Sequence, residues 1–192
     1  MTRILIAYGT CEGHTGRIAQ YLAAVIAAQG YEVHAVNVER PGVGEPEGYD
    51  AVIVGASIHL GKHERYVADY VRQNRDILER VPSAFFSVSL SAGEKTEEAR
   101  KAVGDCIEKF VKQTGWRPDM IGRFAGALRY TQYGFFKRWM MKRIAHSKGS
   151  PDTDTSRDYV YTDWHSVRHF ADEFLDTLVC GQRAQHAKVG QC

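Results

Sequence analysis

Two kinds of hydrophobic pattern alternate along the chain. The first is the short, nearly continuous apolar block: Ile4, Leu5, Ile6 and Ala7, then 51–56 (AVIVGA), then 84–90 (AFFSVSL). Such blocks read as strands buried on both faces. The second is the segment whose apolar residues recur every three or four positions, the period of an amphipathic helix. Ile18, Leu22, Val25 and Ile26 keep that period, as do Tyr66, Val67, Tyr70, Val71, Ile77 and Leu78. Val103, Ile107, Phe110 and Val111 form a third set, and Val167, Phe170, Phe174 and Leu178 a fourth. Helices are therefore predicted from Thr15 onward, over 63–80, over 97–113 and over 163–179. Residues 32–37 (EVHAVN) alternate and predict a second strand; 120–128 (MIGRFAGAL) predict a less regular fifth, and 159–161 a short addition.

Strands that alternate with helices build a parallel sheet with helices on both faces. Right-handed crossovers and five strands suit a doubly wound α/β fold with strand order 2-1-3-4-5, whose ligand crevice lies where the order reverses. Three loops of small residues follow strands 1, 3 and 4, and that order brings them to one crevice. The 192 residues suffice for a single domain over 1–180. A long insertion over 129–157 interrupts it near strand 5. Residues 181–192 lack periodicity and are expected to be a disordered tail.

Composition adds exclusions. The chain is 44% apolar and 25% charged, as expected of a globular protein, and no apolar run reaches the ~18 residues of a membrane span. The N-terminus enters a strand at once, without the apolar segment of a signal peptide. Cys11, Cys106, Cys180 and Cys192 show neither CxxC nor metal-ligand spacing, so no metal is expected and a reducing cytoplasm fits.

The candidate chemistry begins at 3–16, RILIAYGTCEGHTG. A strand, a polar loop (Thr10, Cys11, Glu12, Gly13, His14, Thr15) and a helix follow one another. A loop that closes on a helix N-terminus offers unpaired N–H groups and the positive end of the helix dipole to an anion, most often phosphate. GxGxxG and GxxxxGK[ST] are both absent, which excludes the dinucleotide fingerprint and the Walker loop. An ordinary strand–helix turn with a Thr cap would read the same way. Cys11 is open to two readings, a thiol of depressed pKa or a small filler.

Net charge is only +2, but its distribution is uneven. Residues 129–148 contain Arg129, Lys137, Arg138, Lys142, Arg143 and Lys148 and no acid. On a helical wheel Phe135, Phe136, Trp139, Met140 and Ile144 cover one side, Lys137, Arg138 and Lys142 the other, and Arg143 falls within the apolar side. A basic amphipathic helix bearing aromatics suits a membrane surface. A docked helix with a solvated basic face is the alternative, and Arg143 could instead pair with a substrate carboxylate. No groove-binding fold is evident, so nucleic acid is not expected.

The loop Thr10-Cys11-Glu12-Gly13-His14-Thr15 resembles the flavodoxin phosphate loop T/S-x-x-G-x-T. More specific stretches are VIVGASIHLGKH from Val52, PSAFFSVSL from Pro82, GWRPD from Gly115, AGALRY from Ala125 and VYTDW from Val160. Together they resemble the flavodoxin-like, menaquinone-dependent protoporphyrinogen IX dehydrogenase family of bacteria. The resemblance implies non-covalent FMN, oxidation of protoporphyrinogen IX to protoporphyrin IX, electrons passed to membrane quinone, and a cytoplasmic protein peripheral on the inner face of the membrane. It places cofactor contacts on Thr10, Cys11, Glu12, Gly13, His14 and Thr15 and on Ser57, Ile58, His59, Leu60, Ser87, Val88, Ser89 and Leu90. Arg129, Tyr130, Phe136, Trp139 and Arg143 become candidate substrate or membrane contacts. No catalytic acid or base is assigned.

Two features of the ring loops bear on function. Neither 57–61 nor 89–93 contains Trp or Tyr, so the ring face is open to a flat macrocycle unless the insertion covers it. His14, His59, Lys62 and His63 are expected to cluster there and to favour an anionic reduced flavin. An electron-transfer flavodoxin, a quinone reductase of the same fold and a flavin-free interaction module are the competing readings, since fold alone does not decide function.

Overall fold

The computed structural model describes residues 1–40, 42–94, 96–128 and 158–189; at 128 and over 180–189 it describes the backbone only. The 129–157 insertion, with Arg129, Tyr130, Phe136, Trp139 and Arg143, lies outside the described residues.

Strands β1 (Arg3–Tyr8), β2 (Glu32–Asn37), β3 (Ala51–His59), β5 (Ser83–Ser89) and β6 (Met120–Ala125) form a parallel sheet in the order β2-β1-β3-β5-β6. This is the expected 2-1-3-4-5 order. A two-residue strand β4 (Lys62–His63) pairs antiparallel with the end of β3 and stands off that path. Helices α1 (His14–Ala27), α2 (Arg65–Gln73), α3 (Arg75–Leu78) and α4 (Glu97–Thr114), and a C-terminal helix Trp164–Val189, complete the frame.

The strand blocks are apolar throughout because each strand feeds two cores. Side chains alternate across a strand. Ile4, Ile6, Ala51, Ile53, Ala84, Phe86 and Val88 thus pack under α1 and the C-terminal helix. Leu5, Ala7, Val52, Val54, Ala56 and Phe85 pack under α2, α3 and α4. Trp116 is fully buried in the second core and donates its indole N–H to Ser83 Oγ at 3.3 Å. α4 begins where Thr96 accepts the Ala99 N–H, with Glu97 and Glu98 in its first turn to complement the dipole.

Three element boundaries differ from the sequence pattern. The helix expected over 63–80 is β4, α2 and α3: apolar spacing continues through Asn74, but its side chain turns back to Tyr70 O at 2.9 Å and φ −107° breaks the helix. The fifth strand divides at Gly126, after which β7 (Ala127–Leu128) leaves the sheet and pairs with β8 (Tyr159–Val160). The last helix does not stop at Val179; the backbone is helical to Val189, where the expected tail begins at 181. Gln182, Arg183, Ala184, Gln185 and Lys188 have high helix propensity, and no proline interrupts them.

Candidate functional site

The C-terminal ends of β1, β3 and β5 open on one crevice of about 300 Å³. Thr10, Cys11, Glu12, His14 and Thr15 line it from the first loop, Ser57, Ile58, His59 and Leu60 from the second, and Val88, Ser89 and Leu90 from the third. The convergence expected from strand order is therefore present. Sequence reasoning missed Gly61, Ser91, Gly126 and Ala127, which also line the crevice. Leu90 and Ser91 belong to a 3-10 turn capped by Ser89, whose Oγ accepts the Ala92 N–H at 3.1 Å.

The first loop is built for close approach. Gly9 must be glycine because a Cβ there would lie 2.3 Å from Val67 Cγ2. Gly13 sits at φ 79° as the N-cap of α1, a conformation costly for other residues, and no side chain caps that helix. A Thr cap is thus not what this loop provides. Tyr66 OH accepts the Thr10 N–H at 2.8 Å and fixes the loop against α2. Burial, then the Glu64 carboxylate, push the Tyr66 hydroxyl up to about 12. Thr10 Oγ1 is buried and, among the described residues, has no hydrogen-bond partner. A buried hydroxyl in that state is costly unless a ligand satisfies it. Thr10 therefore fits an anionic group seated on the loop.

The second loop is a hairpin, not an irregular connection. Leu60 (φ 50°) and Gly61 (φ 73°) join His59 to Lys62 with positive φ at both central positions, as a type I′ turn requires. Leu60 is the one non-glycine residue with positive φ among the described residues, and its side chain is 89% exposed at the crevice rim. Glu64 locks the hairpin from behind. It is buried, accepts the Ser57 N–H at 2.9 Å, and takes a short hydrogen bond from Ser57 Oγ and a longer one from Cys11 Sγ. Desolvation first, and then Glu64, push the Cys11 thiol up from its ordinary value. A depressed Cys11 pKa is thus excluded; an acid stands where a cation would be needed. Nothing in the sequence pattern singles out Glu64.

Of the expected cofactor contacts, Gly13 and Ser87 do not line this crevice, and Gly13 borders a separate hollow with Tyr21 and Trp164. Ser87 is fully buried and bonded to His63 Nε2 at 2.8 Å, beneath the crevice rather than on its wall, since its side chain points to the α2–α4 core. His63 packs edge-on against Phe85 and Phe110 at 5.3 and 5.1 Å, and burial lowers its pKa to about 4. It is neutral at pH 7. Lys62 and His63 border a different hollow, on the far side of the hairpin. Of the four residues expected to cluster there, only His14 and His59 line the crevice. Even His14 is tied back: Thr162 Oγ1 donates to Ala125 O at 2.7 Å, so the 2.6 Å contact requires His14 Nε2–H to donate to Thr162.

The wall is otherwise apolar or small. Among the described residues no Phe, Tyr or Trp lines the crevice, and neither does any Lys or Arg. No cluster of three or more potential metal ligands occurs among them. Nor is any described helix long and apolar enough to cross a membrane.

Comparison with known proteins accords with this geometry. Residues 5–155 match the family described as Flavodoxin domain. The chain is 38% identical over 171 residues to the Protoporphyrinogen IX dehydrogenase (quinone) of Escherichia coli K12, covering 89% of this chain and 93% of that protein. It is 35% identical over 173 residues to the Leishmania major protein of the same name, covering 90% of this chain and 74% of the other. Among solved structures, oxidised flavodoxin 1 from Bacillus cereus superposes with a TM-score of 0.54 at 15% identity, over 91% of this chain and 98% of that one.

Proposed function

The chain belongs to the flavodoxin-domain protoporphyrinogen IX dehydrogenases, and we propose that it oxidises protoporphyrinogen IX to protoporphyrin IX with FMN as cofactor and a quinone as electron acceptor. The observation that carries this reading is the crevice itself. A phosphate-type loop with a buried, unsatisfied Thr10 hydroxyl stands beside two strand ends that offer an open, uncharged wall.

Thr10, Thr15 and the backbone around Gly13 hold the FMN phosphate at the N-terminus of α1. Ser57, Ile58, His59 and Leu60 from one loop and Val88, Ser89 and Leu90 from the other would hold the ring. Ser57 offers shape rather than a donor there, because its N–H and hydroxyl are both committed to Glu64. Bound flavin supplies two-electron hydride chemistry; a porphyrinogen carries six more hydrogens than the porphyrin, so three such rounds complete the reaction. Among the described residues no aromatic side chain lines the crevice where the ring would lie. A macrocycle can sit where a small electron carrier would place a Tyr or Trp, and this favours an enzyme over a carrier. Residues 129–148 hold the protein at the membrane surface, where quinone resides. FMN-loaded protein incubated anaerobically with protoporphyrinogen IX and a soluble quinone should develop porphyrin fluorescence at a rate proportional to protein. Fluorescence no faster than in protein-free controls would contradict the assignment.

A further inference from the structure

The hairpin β3–β4 separates two hollows. On one side lies the crevice; on the other lies a depression of about 270 Å³ bordered by Lys62, Arg65, Cys106 and Lys109. Gly61 is common to both. The rim between them is open to solvent: a Cβ built on Gly61 would meet nothing within 4 Å, and the neighbouring Leu60 is exposed. The tip is anchored from below, since Cys106 Sγ donates to Gly61 O at 3.3 Å.

The two hollows differ in charge. The crevice has no Lys or Arg on its wall among the described residues, and Glu12 stands in it. The second hollow has three cations. Arg65 is drawn toward Asp69 at 3.8 Å, whereas neither Lys62 nor Lys109 takes part in an ion pair among the described residues. The neighbouring acid Asp105 is occupied by Lys101 at 2.8 Å. The floor is apolar, with Ala68 and Phe110 buried beneath the lysines.

A tetrapyrrole that binds in the crevice brings an apolar macrocycle and carboxylates on flexible arms. The macrocycle suits the crevice and the exposed Leu60. Among the described residues the carboxylates find no Lys or Arg on the crevice wall, and burying a charge without a partner is costly. We propose that Lys62 and Lys109 form a carboxylate subsite, across the Gly61 rim, that binds a propionate of the tetrapyrrole and so selects substrates bearing anionic arms. This rests on the protoporphyrinogen reading of the crevice and adds to it the residues that recognise the substrate's charge. Such contacts to an exposed ammonium are modest individually, so two together give roughly a tenfold preference that salt weakens.

The test compares FMN-loaded wild type with Lys62→Gln/Lys109→Gln. The measurements are FMN affinity, binding of protoporphyrin IX by quenching of porphyrin fluorescence, kcat and KM for protoporphyrinogen IX and for its dimethyl ester, and co-sedimentation with anionic liposomes. The expected result is unchanged FMN affinity, porphyrin binding and KM for the free acid weakened about tenfold, kcat nearly unchanged, and no change for the ester. Arginine at both positions should restore the preference for the acid. Equal loss for acid and ester, or no loss for either in an active wild type, overturns the subsite while leaving the oxidation intact. Loss of liposome binding with unchanged KM would make the hollow a lipid contact and overturn it as well. A wild type that neither binds the porphyrin nor oxidises the porphyrinogen refutes the underlying reading and the subsite with it.

Discussion

At the residue scale the site depends on a few side chains whose neighbours set their behaviour. Thr10 Oγ1 is buried without a partner among the described residues, so it contributes nothing to the stability of the free protein. Thr10→Val should therefore leave the thermal midpoint of FMN-free protein unchanged or raise it, while FMN affinity falls. A hydrogen bond to a charged group is worth about 1.5–3 kcal/mol, so the dissociation constant should rise by one to two decades in a flavin fluorescence titration. Equal loss of stability in the free protein would show that the hydroxyl serves the fold. Glu64→Gln removes the second of the two main causes that raise the Cys11 thiol, after desolvation. Alkylation of Cys11 at neutral pH should then be faster than in wild type. His63 adds a pH dependence of defined sign. Its folded pKa is about 4 against 6.5 when unfolded. Between those values the unfolded chain binds a proton that the native one refuses. The stabilisation is complete above pH 6.5 and is lost as pH falls toward 4, by about 3 kcal/mol in all. His63→Gln should flatten that part of the profile in urea unfolding measured from pH 7 down to 4.5.

At the element scale, pattern specified the central strands β1, β3 and β5 well because each feeds two cores and so carries a nearly unbroken apolar signature. The turns were less legible. The β3–β4 hairpin hides behind Leu60, which takes a conformation that sequence rules reserve for Gly or Asn. Leu60→Asn should relieve that strain and stabilise the protein by about 1 kcal/mol, seen as a rise of a few degrees in thermal midpoint. A fall would mean that Leu60 packs usefully at the rim. The pattern also merged β4, α2 and α3 into one helix, because spacing cannot register an Asn side chain turning back on the backbone. The candidate site shows the same division. The residues of the phosphate-type loop were legible from strand, loop and helix in succession. Glu64 and Thr162 were not, because their roles arise from contacts to Ser57 and His14, distant in sequence or on another element. Lys62 and His63 were misplaced because the hairpin that makes them β4, and sets them beside a different hollow, is invisible to apolar spacing.

At the scale of the whole molecule, one sheet presents a cofactor crevice, and the basic aromatic segment over 129–148 follows β7 in the sequence. If the segment over 129–148 seats the protein on a membrane, each basic residue is worth about 1 kcal/mol near an anionic surface, within a Debye length. Co-sedimentation with anionic liposomes should weaken with salt. Lys137→Gln, Arg138→Gln and Lys142→Gln together should remove the salt-sensitive part and leave FMN binding intact. Wild type that stays in the supernatant at low salt would exclude an anchoring role. The central claim is that a porphyrinogen gives its electrons to flavin held in the crevice. Anaerobic mixing of FMN-loaded protein with protoporphyrinogen IX, without quinone, tests it most directly. The account predicts that the flavin absorbance bleaches at a rate that rises with porphyrinogen concentration, and that colour returns on adding quinone. Flavin that stays oxidised under those conditions, yet is reduced by dithionite, would contradict it.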